Sequence, residues 1–307
     1  MASNYLDVQV YNDAPSVPSW AWVVCSSRTE SGGVAVEFVL SVTEGCLDSY
    51  PLFMFTTLPT HHLTQEFVEP RMEQMVMALL RNVPVKRVYA VYGPDLLARV
   101  FARNWTQITG IQNLAHSPYY AAKLSFCTRQ TFRNRAMALR ADLTYEIRPA
   151  DNNDIRDVAE CCGGFADDSA PYSLTWDGAI REATFLVGHH QVWIHRIAQK
   201  GTSRSEIASI VAFTRNSETN ATITKVYTNP KWRRLGCAER LVRKVCEYLL
   251  QSKVTVSLFV AHDNPGAALV YSRVGFVGLG PQEGFVPGVE GWTEIGFDRN
   301  FVQLGHW

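Results

Sequence analysis

The sequence predicts a mixed α/β fold, a central twisted sheet flanked by helices and present twice in tandem along 307 residues. Three observations carry this. Thr222 to Tyr227 is rich in β-branched and aromatic residues and reads as a strand, broken by Asn229-Pro230. From Ala238 the apolar positions Leu241, Val242, Val245, Cys246 and Leu249 make one stripe, with Glu239, Arg240, Arg243, Lys244 and Glu247 on the wet side, so a helix follows. The order helix, strand, helix then recurs in the first half at an offset of 170 residues: Ala98 falls on Ala268, Val100 on Val270, Phe101 on Tyr271 and Arg103 on Arg273. A chain of this length accommodates two domains, each able to bury its own core, and the expected boundaries are 1–140 and 141–307.

In the first half, Ser19 to Cys25 is the first strand, Glu30-Ser-Gly-Gly33 a turn, Val34 to Val42 a second strand and Tyr50 to Phe55 a third. Pro59-Thr-His61-His62 opens a loop. Arg71 to Arg81 places Met72, Met75, Val76 and Leu79 on one helical face, and Pro84 ends it. Lys86 to Tyr92 is a strand, and Gly93-Pro94-Asp95 opens a helix through Trp105. Residues 126–144 carry Arg129, Arg133, Arg135 and Arg140 and suit a linking helix or strand.

In the second half, Tyr145 to Ala150 is a strand and Asp151 to Asp154 caps a helix. Tyr172 to Arg181 supplies a second, short helix. Gln191–Ile197 and Glu206–Phe213 pair as a hairpin across residues 200–205. Beyond the central strand and helix, Val254 to Val260 is an apolar strand, Ala267 to Arg273 a helix, Gly278 to Gly291 a Gly/Pro-punctuated loop, and Gly291 to Phe297 a closing strand.

The formal charge is zero, which gives no pointer to a polyanion partner or an acidic membrane surface; the linker arginines read as a solvated face rather than a nucleic-acid site. No stretch approaches the ~20 apolar residues that span a bilayer, and Met1 to Asp7 lacks a basic region followed by an apolar run. Seven cysteines without metal-ligand spacing read as thiols of a reducing compartment, so the expectation is a cytoplasmic protein with no metal. The His61-His62 and His189-His190 pairs read as turn residues, since no third ligand has matching spacing.

The chemistry points to Arg233-Arg234-Leu235-Gly236-Cys237-Ala238. Gly236 turns the backbone, and small Cys237 and Ala238 leave the first amides of the helix approachable to a phosphate or diphosphate; a plain structural turn is the competing reading. Downstream stand Ala261-His262-Asp263-Asn264-Pro265-Gly266 and then Tyr271 four residues before Gly275-Phe276. This ordered set resembles the GNAT superfamily of N-acetyltransferases, whose members share an Arg/Gln-x-x-Gly-x-Gly/Ala loop, an Asn-Pro after the next strand and a helix ending Tyr-x-x-x-Gly-Phe. The first half, at the same offset, has Leu63-Thr-Gln-Glu-Phe-Val68 in place of the loop, with Glu66 where an anion should sit. It is therefore expected to be a degenerate, non-catalytic GNAT-like domain.

The resemblance implies acetyl-coenzyme A as cosubstrate and direct attack of a neutral amine on its thioester. Backbone around Val226 and Thr228 would bond the pantetheine arm, Gly236, Cys237 and Ala238 the diphosphate, with Arg233, Arg234 and Leu235 beside it and Asn264 facing the arm. Tyr271 would be the general acid, since a phenol near pKa ~10 protonates a thiolate without being ionised at rest; a core aromatic is the alternative. The family's strand glutamate would fall at Thr222 or Thr224, neither a base, which leaves His262, Asp263 or a water relay, with His195 a weaker candidate. Asp167 and Asp168 could attract an ammonium group, and Trp176, Trp193, Trp232 and Trp292 could line a pocket. The expected acceptor is a small-molecule primary amine. A protein or peptide N-acetyltransferase and a non-catalytic acyl-coenzyme A sensor are the alternatives.

Overall fold

The computed structural model describes residues 6–12, 20–29, 32–202, 205–280 and 284–306. Ser19 of the first expected strand, Glu30 and Ser31 of the turn, residues 203–204 of the hairpin connection and 281–283 of the later loop lie outside the described residues, as does the opening stretch 1–5. Along the first part run β1 (Leu6–Asn12), β2 (Trp20–Arg28), β3 (Val34–Thr43), β4 (Leu52–Thr56), α1 (Gln65–Asn82), β5 (Ala90–Pro94), α2 (Asp95–Thr109) and β6 (Tyr120–Thr128). There follow β7 (Leu143–Pro149), α3 (Ile155–Asp167), α4 (Trp176–Gly188), β8 (Val192–Gln199), β9 (Ser205–Asn216) and β10 (Asn220–Thr228). The last elements are α5 (Cys237–Leu249), β11 (Thr255–Ala261), α6 (Pro265–Val274) and β12 (Glu290–Gly296).

The chain forms two compact units, residues 1–122 with 290–307, and residues 123–289. These differ in two places from the expected boundary between 140 and 141. The closing strand β12, expected in the second half, pairs antiparallel with β5 of the first unit, Trp292 opposite Pro94 and Glu294 opposite Tyr92. Conversely β6, which follows α2 in sequence, belongs from Lys123 onward to the second unit, where it flanks β11. Ser125 Oγ donates to the Val277 carbonyl at 2.6 Å, and the Val277 amide donates to the Phe126 carbonyl at 3.0 Å.

Each unit thereby acquires the same six-strand order. In the first it is β1-β2-β3-β4-β5-β12, in the second β7-β8-β9-β10-β11-β6. In both, the first four strands are antiparallel neighbours and the fourth and fifth are parallel, β4 with β5 and β10 with β11. The helices keep step too: α6 begins 170 residues after α2, and α5 begins 172 after α1. What differs is the connection between the first two strands. In the second unit it spans 150–191 and holds α3 and α4, whereas in the first it is only 13–19.

In the second unit, alternation along β9 sorts the core into two layers. Val211 and Phe213 pack with Leu241, Val242, Val245 and Cys246 of α5 and Val274 of α6. Ile210 and Ala212 face Val158 and Cys162 of α3 and Ala183 and Leu186 of α4. A register break around Thr224 in β10 interrupts the pairing with β9, so Ile223 and Val226 join the α5 side while Tyr227 joins the α3 side.

Local chemistry explains the helix ends. Asp151 and Asp154 form a reciprocal capping box ahead of α3. Asp154, 1% exposed, also takes Arg148 at 2.5 Å and Arg196 at 2.9 Å. The expected helix at Arg71–Arg81 in fact begins at Gln65, since the Thr64 hydroxyl caps it and the helix runs through Pro70. The expected strand at Lys86–Tyr92 is displaced by a 3-10 turn at Val85–Arg87. The arginine-rich linker is neither helix nor strand beyond Thr128. It is an extended strap along α5: Arg129 donates to the Leu250 and Gln251 carbonyls, the Arg133 carbonyl takes a bond from Arg243, and the Met137 methyl meets Gly236.

Candidate functional site

β10 and β11 are paired only over Asn220–Ile223 and Thr255–Leu258. Beyond that the two strands part, and β10 continues to Thr228 bonded to β9 alone. Asn229 then caps a short 3-10 turn, accepting from Lys231 N at 3.0 Å. Two successive excursions into the left-handed region follow, Arg234 at φ 65° and Gly236 at φ 71°, before α5 starts. Glycine is required at the second. A Cβ there would stand 2.8 Å from the Met137 methyl, on a backbone that side chains resist.

Gly236 caps α5 without a side chain, and the amides of Gly236, Cys237 and Ala238 have no acceptor among the described residues. The helix start is braced from the side: Arg240 Nη2 donates to the Leu235 carbonyl at 2.5 Å, and Cys237 Sγ to Trp232 O at 3.4 Å. Burial raises the Cys237 thiol pKa, so it stays protonated. Glu239, buried in the first turn, pairs with Arg243 at 2.7 Å and Arg273 at 3.6 Å, which removes its charge as a competitor for the helix dipole. Free amides at a positive helix end, with the Glu239 carboxylate neutralised, are an arrangement that suits an anion.

The two loop arginines part ways. Arg234 is exposed, whereas Arg233 donates Nε to the Thr228 carbonyl at 3.0 Å and Nη2 to Asp168 at 2.9 Å, over the Tyr227 ring. Val226 lies half-buried on the α5 side. Thr228 shares a hydrogen bond with Ser209 at 3.0 Å. Asn264 caps α6, its carboxamide oxygen taking the Ala267 amide at 3.0 Å. His262 and Asp263 are exposed in the turn between β11 and α6.

Tyr271 sits in the α5–α6 core, 5.8 Å edge-on from Phe276, with 8% of its surface open. Burial, helped by Cys246, pushes its phenol well above the usual tyrosine range. His195 is wholly buried on β8 against Tyr145. Burial and then the charge of Arg240 lower it to about 4, against a raising contribution from the Cys237 backbone, and neither ring nitrogen has a hydrogen-bond partner. It is a neutral core residue with no face toward solvent.

Where a strand glutamate was looked for, Thr222 shares a hydrogen bond with Ser257 at 2.9 Å, and Asn220 donates to both hydroxyls at 3.1 Å. Thr224 bonds Thr214 at 3.1 Å. The sequence reading missed Lys225, held by both oxygens of Glu182 at 2.7 and 2.8 Å and lying over the Phe165 ring. A lysine among β-branched strand residues was its only signal, and nothing in the sequence named Glu182 as partner. The four tryptophans have separate surroundings, Trp232 packing beside Ile197 and Cys237. Trp292 belongs to the first unit, packed on Phe53 and Tyr92, while Trp193 is buried against Tyr248 and Trp176 is exposed beside Arg156. No described helix is long and apolar enough to cross a membrane.

Residues 153–276 match the acetyltransferase (GNAT) family. The second unit therefore holds a GNAT-family domain over residues 153–276, a stretch that includes the turn at Gly236. The whole chain is similar in fold to a Drosophila protein (13% identity, 91% of this chain and 80% of that one, TM-score 0.55). It is likewise similar to a GCN5-related N-acetyltransferase from Sphaerobacter thermophilus (15% identity, 92% and 82%, TM-score 0.52). A tandem GNAT protein from the clavulanic acid biosynthesis pathway aligns over 92% of this chain and 84% of its own at 12% identity, TM-score 0.49. No curated protein matches the sequence.

Proposed function

We propose that the second unit is an N-acetyltransferase moving an acetyl group from acetyl-coenzyme A to a primary amine of a small molecule, without a covalent enzyme intermediate. The observation that carries this reading is the set of unsatisfied amides at Gly236, Cys237 and Ala238, inside the stretch that matches the family. These residues suit a diphosphate, and the gap where β10 leaves β11 suits the arm that follows. Acetyl-coenzyme A supplies a thioester carbon when bound.

In the ternary complex the amine nitrogen bonds to that carbon, the carbon–sulfur bond breaks, and the sulfur leaves as a thiolate. Tyr271 is assigned as the acid. Its raised pKa keeps the proton on oxygen throughout the neutral range, ready for the stronger base that a thiolate becomes in a dry pocket. The amine must shed a proton, and we assign this to His262 or Asp263, exposed directly after β11, with Thr222 and Ser257 offering a hydroxyl relay. The first unit is proposed to be non-catalytic, because the N-terminus of α1 is filled by its own side chains.

A second reading is favoured by one observation. The family's strand carboxylate would fall at Thr222 or Thr224, and neither is a base, so a non-catalytic acyl-coenzyme A sensor is the competing function. Thiol release from acetyl-coenzyme A, measured against a panel of small amines and peptides, separates them. Turnover with a small amine is the expected result. Saturable binding with no turnover on any amine supports the sensor, and turnover confined to peptides would replace the acceptor class.

A further inference from the structure

The ion pair between Arg233 and Asp168 joins two loops that the proposed reaction uses separately. Arg233 opens the diphosphate loop, and Asp168 ends α3 at the start of the 168–175 connection to α4. The pair is well formed at 2.9 Å yet stands in water, its side chains 48% and 61% exposed. Such a bridge contributes little to stability and exchanges readily for a better partner. Arg233 is three residues from Gly236, within about 11 Å along the backbone, so its guanidinium can reach an anion seated on the α5 amides. A diphosphate offers a planar guanidinium stronger, charge-assisted bonds than one exposed carboxylate does. Tyr227 lies beneath the Arg233 guanidinium. Its hydroxyl fits into the space left by Gly164 of α3, and its pKa, raised mainly by burial, is pulled down by Arg233 and up by Asp168 and Asp167.

We propose that Arg233 is a two-position residue, paired with Asp168 in the free protein and with the diphosphate in the complex, so that coenzyme binding releases Asp168 to the acceptor's ammonium group. This rests on the coenzyme reading above. It makes Asp168 a specificity-determining carboxylate that becomes free only after the coenzyme arrives. The acceptor then binds after the coenzyme, and each ligand strengthens the other by the same factor, on the order of fivefold.

The test is calorimetric titration of coenzyme A into the full chain, its Asp168→Asn and Arg233→Gln variants, and the double variant. Asp168→Asn removes the competitor and is expected to tighten coenzyme A about threefold; Arg233→Gln weakens it several-fold. In the Arg233→Gln background Asp168→Asn changes nothing. Hydrogen exchange gives a second readout: coenzyme A speeds exchange of the 168–172 amides in the wild type but not in Asp168→Asn, where they are already released. An unchanged or weaker affinity in Asp168→Asn, or the same gain with Arg233 absent, overturns the exchange. If the wild type takes up no coenzyme A, the coenzyme reading falls with it. Uptake with no Asp168 effect removes the latch alone.

Discussion

The N-termini of α1 and α5 stand at corresponding places in two units of the same strand order, and they have been finished in opposite ways. At α5 the cap is Gly236, and the following amides are bare. At α1 the cap is Thr64, whose hydroxyl takes the Phe67 amide at 3.3 Å. Glu66 folds onto the same helix end, its carboxyl pKa lowered by its own backbone amide and then by Thr64. One helix leaves its positive end without a side-chain cap; the other satisfies it internally with a hydroxyl and a carboxylate. The difference teaches that a single fold yields an anion site or a closed cap according to two or three residues at a helix start.

The largest effect that would break this comparison comes from cutting the chain at the wrong place. A fragment 141–307 lacks β6 and carries β12 away from its β5 partner. It is expected to be unfolded by circular dichroism and to bind no coenzyme A, whereas a fragment 120–289 folds and binds. A folded, binding 141–307 fragment would show that β6 is dispensable to the second unit.

Next comes Gly236→Glu, which gives α5 the carboxylate that α1 already has. Like charge against a diphosphate costs several kcal/mol, so coenzyme A affinity should fall at least several hundredfold by calorimetry. Gly236→Ala separates charge from sterics: it carries the left-handed penalty and the close approach to the Met137 methyl without the charge, and its loss should be much the smaller. Tyr271→Phe should lower turnover about a hundredfold with coenzyme A affinity nearly intact. Because burial raises the Tyr271 pKa, the wild-type rate should show no alkaline fall from this group below pH ~10. Wild-type turnover in the phenylalanine variant would return Tyr271 to the core.

Much of this was legible in the sequence, for reasons particular to each element. The stripe from Ala238 to Leu249 has one solution, and Asn264-Pro265 fixes the start of α6, so each end of the loop between β10 and α5 could be placed to within one residue. Glu66 was legible only in part: an offset of 170 set it on Gly236, but α1 and α5 begin 172 residues apart, so the cap opposite Gly236 is Thr64 and Glu66 stands in the first turn of α1. The ownership of β12 was not, since a strand's residues record its faces and not which sheet accepts its edge. The partners of Arg233 and Lys225 were equally hidden. Asp168 and Glu182 lie 65 and 43 residues away, and only the packing of α3 and α4 brings them in.

The smallest effect sharpens the comparison from the other side. Glu66→Gln should leave coenzyme A binding unchanged, because nothing else at α1 reproduces the glycine turn of Gly236. Its signature is in stability against pH. The Glu66 carboxyl is depressed in the folded state, so the stabilisation it brings is present above the unfolded carboxylate pKa near 4.3 and is lost as pH falls through the lower, folded value. Thermal midpoints of wild type and Glu66→Gln should therefore differ modestly at pH 7 and converge under acid. Removing the cap as well, with Thr64→Ala, should cost about 1 kcal/mol more. If the double variant instead acquired saturable coenzyme A uptake at the first unit, the two helix ends would differ only by an occupying carboxylate, and the first unit would be a blocked site and not a degenerate one.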